Sequence, residues 1–145
     1  MADSLDDILR IYDPAASLDR ALTIPAPYYT DARIAELENR AVFGGTWQVA
    51  ARVDQLREPG SFVTTVIAGE PIVVVCGQDG QLRAFYNVCR HHAAAVATTP
   101  DGRCDALRCP YHGWTYDLSG ALKTTPDFVG ACDFDKSQNG LVPVR

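Results

Sequence analysis

Histidine is confined in this chain in a way that few folds can accommodate. All three histidines fall between Cys89 and Trp114, in the run CRHHAAAVATTPDGRCDALRCPYHGW. Two half-motifs sit inside it, Cys89-Arg90-His91 and Cys109-Pro110-Tyr111-His112, with seventeen residues between His91 and Cys109. Each half pairs one thiol with one imidazole, so two tight loops each present a sulfur and a nitrogen donor.

That donor set suits a [2Fe–2S] cluster with two Cys on one iron and two His on the other. On this reading Cys89 and Cys109 bind one iron, and His91 and His112 the other. A structural zinc is the competing use of two Cys and two His. Zinc sites more often pair like with like, and here each half is mixed. His92 adjoins His91 with the wrong spacing to share its iron, and is read as a loop residue that is not a ligand. Pro110 fixes φ in a loop that must hold its shape. Gly113 lets backbone approach the centre closely, and Trp114 is expected to shield it from water.

The rest of the composition narrows the class. The chain has 145 residues, 47% of them hydrophobic, which suffices for one globular core. A net charge of −5 gives a nucleic-acid role no support. No run approaches the length of a membrane span, and MADSLDDILR lacks a signal-peptide pattern. Five cysteines without a secretory signal point to a reducing, cytoplasmic setting. Cys76, Cys104 and Cys132 are left as buried or free thiols.

The local patterns predict an N-terminal arm over residues 1–29. Within it a short helix spans Leu5 to Tyr12, capped by Ser4 and ended by Pro14. Pro25 and Pro27 predict an extended, non-helical approach. A helix from about Asp31 to Phe43 follows, with Thr30 as N-cap, a packing stripe of Ile34, Leu37, Ala41 and Val42, and a Gly44-Gly45 stop. Strands are predicted over 46–53, 61–68, 71–76 and 82–88, then ALRC (106–109) and TYD (115–117). Turns are expected at Gly69-Glu70, Asp79-Gly80, Pro100-Asp101-Gly102 and 118–121. Short strands at even spacing predict a mainly β, antiparallel barrel or sandwich, with the two ligand loops at one end.

Three segments carry a family resemblance. CPYHGWTYDLSGAL (109–122) resembles the second ligand loop of the large (alpha) subunits of Rieske non-haem iron oxygenases, and NVCRHHA (87–93) the first. PAPYYTDARIAELENRAVFGGTWQVA (25–50) is similar to the entry into the same subunits. The resemblance covers roughly residues 20–145 and leans toward the choline and glycine-betaine monooxygenase branch. Many ring-hydroxylating members carry Arg-Gly after the first ligand His, where this chain has His92-Ala93. Respiratory Rieske proteins add a disulfide between the loops, with a Cys shortly after the first His; here residues 93–96 are Ala-Ala-Ala-Val.

The resemblance implies a Rieske [2Fe–2S] domain, residues 30–145, that takes electrons from a reductase or ferredoxin. It passes them to a mononuclear non-haem iron in a catalytic domain of the same or a neighbouring subunit. His112 would face that acceptor, in a full-length homo-oligomer, a trimer. Such an iron needs two His and a carboxylate. Only His92 remains after the cluster is served, so the chain is expected to lack the catalytic iron and to be part of a longer protein or of a split one. A free-standing Rieske-type ferredoxin is the alternative. A metal-stabilised interaction module without redox function is a third class.

Overall fold

The computed structural model describes residues 4–144; the ends of the expected arm (residues 1–3) and domain (residue 145) lie outside them. The chain divides into two compact units, Met1–Trp47 and Gln48–Arg145. No helix among the described residues is long and apolar enough to cross a membrane.

In the first unit, Ser4 caps α1 (Leu5–Leu9) through a capping box with Asp7. The helix stops short of the expected Tyr12. The Leu9 carbonyl accepts a hydrogen bond from the Tyr28 hydroxyl at 2.8 Å, so an end group is satisfied without another turn. The expected extended approach at Pro25 and Pro27 is corrected as well. Pro27 opens a one-turn helix, α2 (Pro27–Thr30), at the position where a missing N–H costs nothing. Thr30 therefore ends α2, and Asp31 caps α3 (Ala32–Ala41) by accepting from the Arg33 N–H. Of the expected stripe, Ile34 is buried and Leu37 half-buried, whereas Val42 is exposed.

Residues 46–53 form no strand. Trp47 and Val49 are 96% and 93% exposed, and the segment runs irregularly into a 3-10 turn at Val53–Leu56. Alternation alone does not make a strand where no neighbouring strand offers a ladder.

The second unit carries two antiparallel sheets. One has the order β3-β2-β1-β4, from β1 (Ser61–Ile67), β2 (Glu70–Cys76), β3 (Leu82–Tyr86) and β4 (Asp101–Arg103). The other is β5-β6-β7, from β5 (Leu107–Arg108), β6 (Thr115–Tyr116) and β7 (Leu122–Thr124). The β1–β2 turn is Ala68-Gly69, both at positive φ, one residue earlier than expected. Where a turn was expected over Pro100-Asp101-Gly102, residues 101–103 pair with β1 as β4.

β2 explains its own composition. Val73 and Val75 point into a core that also holds Phe85, Leu107, Trp114 and Tyr116, so both sheets contribute to it. Ile72 and Val74 point the other way, against Leu56 and Val63. A strand buried on both faces reads as a continuous apolar run, here PIVVVC. The first of these cores ends at Cys89 and Cys109, each 2% exposed, and so carries the sheet order directly into the two loops.

Candidate metal centre

The two loops have the same backbone frame. In the first, the Cys89 N–H donates to Ala94 O (2.8 Å) and the Ala93 N–H to Cys89 O (3.0 Å). In the second, the Cys109 N–H donates to Trp114 O (2.8 Å) and the Gly113 N–H to Cys109 O (3.0 Å). The fourth residue after each cysteine turns left-handed, Ala93 at φ 58° and Gly113 at φ 72°. His91 thus sits two residues into its loop and His112 three residues into its own. His92, not His91, is the positional counterpart of His112.

Different anchors hold the loops. The second is the hairpin connection between β5 and β6. The first leaves β3 and is closed by Asn87, which is 5% exposed. Its side chain accepts from the Val96 and Ala97 N–H groups (3.0 and 2.9 Å) and donates to Ala97 O (2.8 Å). A buried amide satisfied this fully rigidifies the loop base. Tyr116 links the loops to each other. Its hydroxyl accepts from the Arg90 N–H at 3.0 Å and lies 3.3 Å from Cys89 Sγ. Burial, with Cys89 beside it, pushes this phenol well above its ordinary pKa, so the hydroxyl keeps its proton beside the sulfur.

The imidazoles converge. The His91 and His112 ring centroids are 4.8 Å apart, and a ligating atom from each of His91, His92 and His112 lies within 4.8 Å of the others. The His91 ring stacks flat on Trp114, at 4.6 Å and 5°. Trp114 meets Phe128 edge-on at 5.3 Å and Phe134 at a tilt at 5.6 Å. His91 Nδ1 is buried with no hydrogen-bond partner among the described residues. An orphaned buried nitrogen costs about 1–3 kcal/mol unless something binds it, and coordination to a metal does so. Burial, with His92 and His112 nearby, lowers the pKa of His91, which favours the neutral imidazole that ligates. With the buried thiols of Cys89 and Cys109 in the same two loops as the rings, the donor chemistry fits a mixed Cys/His cluster.

The structure therefore brings Cys89, His91, Cys109 and His112 to one end of the second unit, with Pro110 exposed on the rim and Trp114 buried behind. Sequence reasoning missed Asn87 and Tyr116. The only cue to either was position, one residue after a strand and two residues after Trp114; neither residue type announces a contact made nine to 27 residues away. Cys76 is buried in the core and Cys132 is exposed; Cys104 is half-buried, and burial raises its thiol pKa.

Comparison with known proteins agrees with this geometry. Residues 46–135 match the model of the Rieske [2Fe-2S] domain family. The chain is 36% identical over 133 residues to the glycine betaine monooxygenase oxygenase subunit of Pseudomonas aeruginosa, covering 92% of this chain and 31% of that protein. It is 40% identical over 134 residues to the chloroplastic choline monooxygenase of Arabidopsis thaliana, covering 92% and 32%. It thus spans about a third of the length of these curated relatives. Among solved structures, the quaternary ammonium Rieske monooxygenase CntA with L-carnitine superposes with a TM-score of 0.80 at 35% identity, over 86% of this chain and 36% of that one. Naphthalene 1,2-dioxygenase from Rhodococcus sp. gives 0.78 at 32% identity, over 83% and 28%.

Proposed function

This chain belongs to the Rieske [2Fe-2S] domain family, and on that premise we propose that it is the electron-transfer portion of a Rieske mono- or dioxygenase. Cys89 and Cys109 would hold one iron, and His91 and His112 the other. When bound, the cluster supplies one-electron storage at a potential set by its His ligands and by hydrogen bonds to sulfur. The observation that carries the reading is the pair of matched loops, each with one buried thiol and one of two converging imidazoles.

The chain's own residues do three things for such a centre. Trp114, Phe128 and Phe134 exclude water behind His91. The Tyr116 hydroxyl, 3.3 Å from Cys89 Sγ, would donate to a cluster-bound thiolate and favour its more electron-rich form. His112, exposed beside Tyr111, offers its ring to whatever accepts the electron. The donor would be a reductase or ferredoxin, and the acceptor a mononuclear iron in a catalytic domain that these 145 residues do not supply. The oxygenase-subunit identity of the named relatives supports this over a free-standing ferredoxin. Their quaternary-ammonium character supports the choline and glycine-betaine branch for the enzyme served.

The test is elemental and spectroscopic. The protein purified without air should carry two irons and two acid-labile sulfides per chain and, once reduced, a Rieske-type paramagnetic signal. One zinc and no sulfide would rule the reading out.

A further inference from the structure

Residues 125–134 run from β7 toward a 3-10 turn, Lys136–Asn139, as three successive tight turns at 126–127, 129–130 and 132–133. The second residue of each turn is left-handed: Asp127 at φ 56°, Gly130 at φ 94° and Asp133 at φ 57°. Two of these carry a Cβ where glycine is the unstrained choice. Among the described residues, no hydrogen bond or ion pair ties this ribbon to the rest of the chain; its one side-chain bond is internal, from Cys132 Sγ to Gly130 O.

What holds the ribbon down is aromatic contact. Phe128 and Phe134, both half-buried, touch each other with centroids 4.6 Å apart, and both rest on Trp114. Phe128 also meets the His91 ring edge-on at 6.0 Å. Between them Val129 is fully exposed. The ribbon is thus seated on the stacked pair of His91 and Trp114, and His91 is the ring whose buried Nδ1 has no partner among the described residues. A segment with few buried apolar contacts and no hydrogen bonds outward belongs to the least stable part of a fold. We propose that residues 125–134 are a strap latched by Phe128 and Phe134, docked while a metal centre fixes His91 against Trp114 and released as a unit, baring both rings, when that centre is lost. This rests on the cluster reading above. Release frees the backbone of Asp127 and Asp133 and leaves both sheets standing, since neither has a hydrogen bond to the strap.

The test is limited chymotrypsin digestion of the cluster-loaded chain and of the same preparation bleached in air with a chelator, with cut sites and rates read by mass spectrometry. A Phe must leave Trp114 to enter the protease, so cleavage after Phe128 or Phe134 follows the population of open straps. Iron and sulfide are measured first; their absence from wild type would defeat the functional reading, and the variants below would still read the latch. Bleaching should speed cleavage after Phe128 and Phe134 about tenfold, while the core sites Phe85 and Tyr116, 4% and 0% exposed, stay uncut. In the cluster-loaded chain, Phe134→Ala should speed cleavage after Phe128 about tenfold with iron content unchanged, because one latch is gone. Phe134→Leu should give a smaller rise in the same direction, and serves if the Ala variant does not fold. Cys132→Ser, exposed on the strap, should change neither rate. Equal rates before and after bleaching, or cutting at Phe85 and Tyr116 in step with Phe128, would overturn the strap as a separate, cluster-dependent element. An unchanged rate in both Phe134 variants would overturn the latch.

Discussion

The imidazole of His91 lies on the indole of Trp114 with centroids 4.6 Å apart and planes 5° from parallel. One side chain of the second loop thereby orients a candidate ligand of the first. Trp114 is 2% exposed, so its removal empties the core as well as unstacking the ring. Trp114→Ala should cost about 3–5 kcal/mol in urea unfolding. Trp114→Phe should retain the cluster's visible absorption longer in air than Trp114→Leu, because only Phe keeps an aromatic face against His91. Equal bleaching rates would mean that the stacking plays no part.

The ligand assignment makes a selective prediction for cysteine. Cys89→Ser and Cys109→Ser should abolish iron binding and destabilise the domain, because metal binding is coupled to folding. Cys104→Ser and Cys132→Ser should keep full iron. Cys76→Ser should keep iron as well, yet lose about 1–3 kcal/mol, since it places a hydroxyl in a site 2% exposed. Iron loss in Cys104→Ser would show that the set is wrong.

Tyr116→Phe removes one hydroxyl and two contacts. The Arg90 N–H would be left without its acceptor, a cost of about 1–3 kcal/mol if water does not reach it. Loss of a donor to Cys89 sulfur should also lower the reduction potential. Protein-film voltammetry reads the second effect separately from stability. An unchanged potential would confine Tyr116 to bracing the loops.

The shared loop frame makes opposite predictions for two small residues. Ala93 carries a Cβ at φ 58° and is exposed, so Ala93→Gly should relieve strain and stabilise by about 1 kcal/mol. Gly113→Ala should destabilise. Its Cβ would sit at φ 72° and 3.3 Å from both Arg108 Nη2 and Pro126 Cγ. Thermal melts of the two variants should shift in opposite directions.

Acid stability should depend on Asp117, whose carboxylate accepts from the Ser119 hydroxyl and from the Ser119 and Ala121 N–H groups in the β6–β7 turn. Partial burial opposes ionisation, but these hydrogen bonds outweigh it and hold the pKa below the usual carboxylate value. A depressed folded pKa contributes stability that is present above the unfolded value, about 3.9, and is lost as pH falls through the folded one. Wild type should therefore lose stability below about pH 4 more steeply than Asp117→Asn, as read by denaturant midpoints across that range.

The Rieske [2Fe-2S] family and the mainly β fold were legible in the residues alone. Cys89, His91, Cys109 and His112 could be singled out because scarce residue types at short spacing need no knowledge of the rest of the chain. The β-rich pattern was legible for a similar reason, since a run such as PIVVVC has few ways to bury itself. Position-specific features were less legible. Residues 46–53 alternate like a strand yet have no ladder to join, and Pro27 opens a helical turn instead of an extended arm. Only the tertiary structure decided how the two loops are tied together. Tyr116 reaches across to Arg90 and Cys89, Trp114 lies under His91, and Asn87 closes the first loop from its base. Those contacts join residues brought close by sheet packing, and no local pattern encodes which distant group a buried hydroxyl, indole or amide will meet.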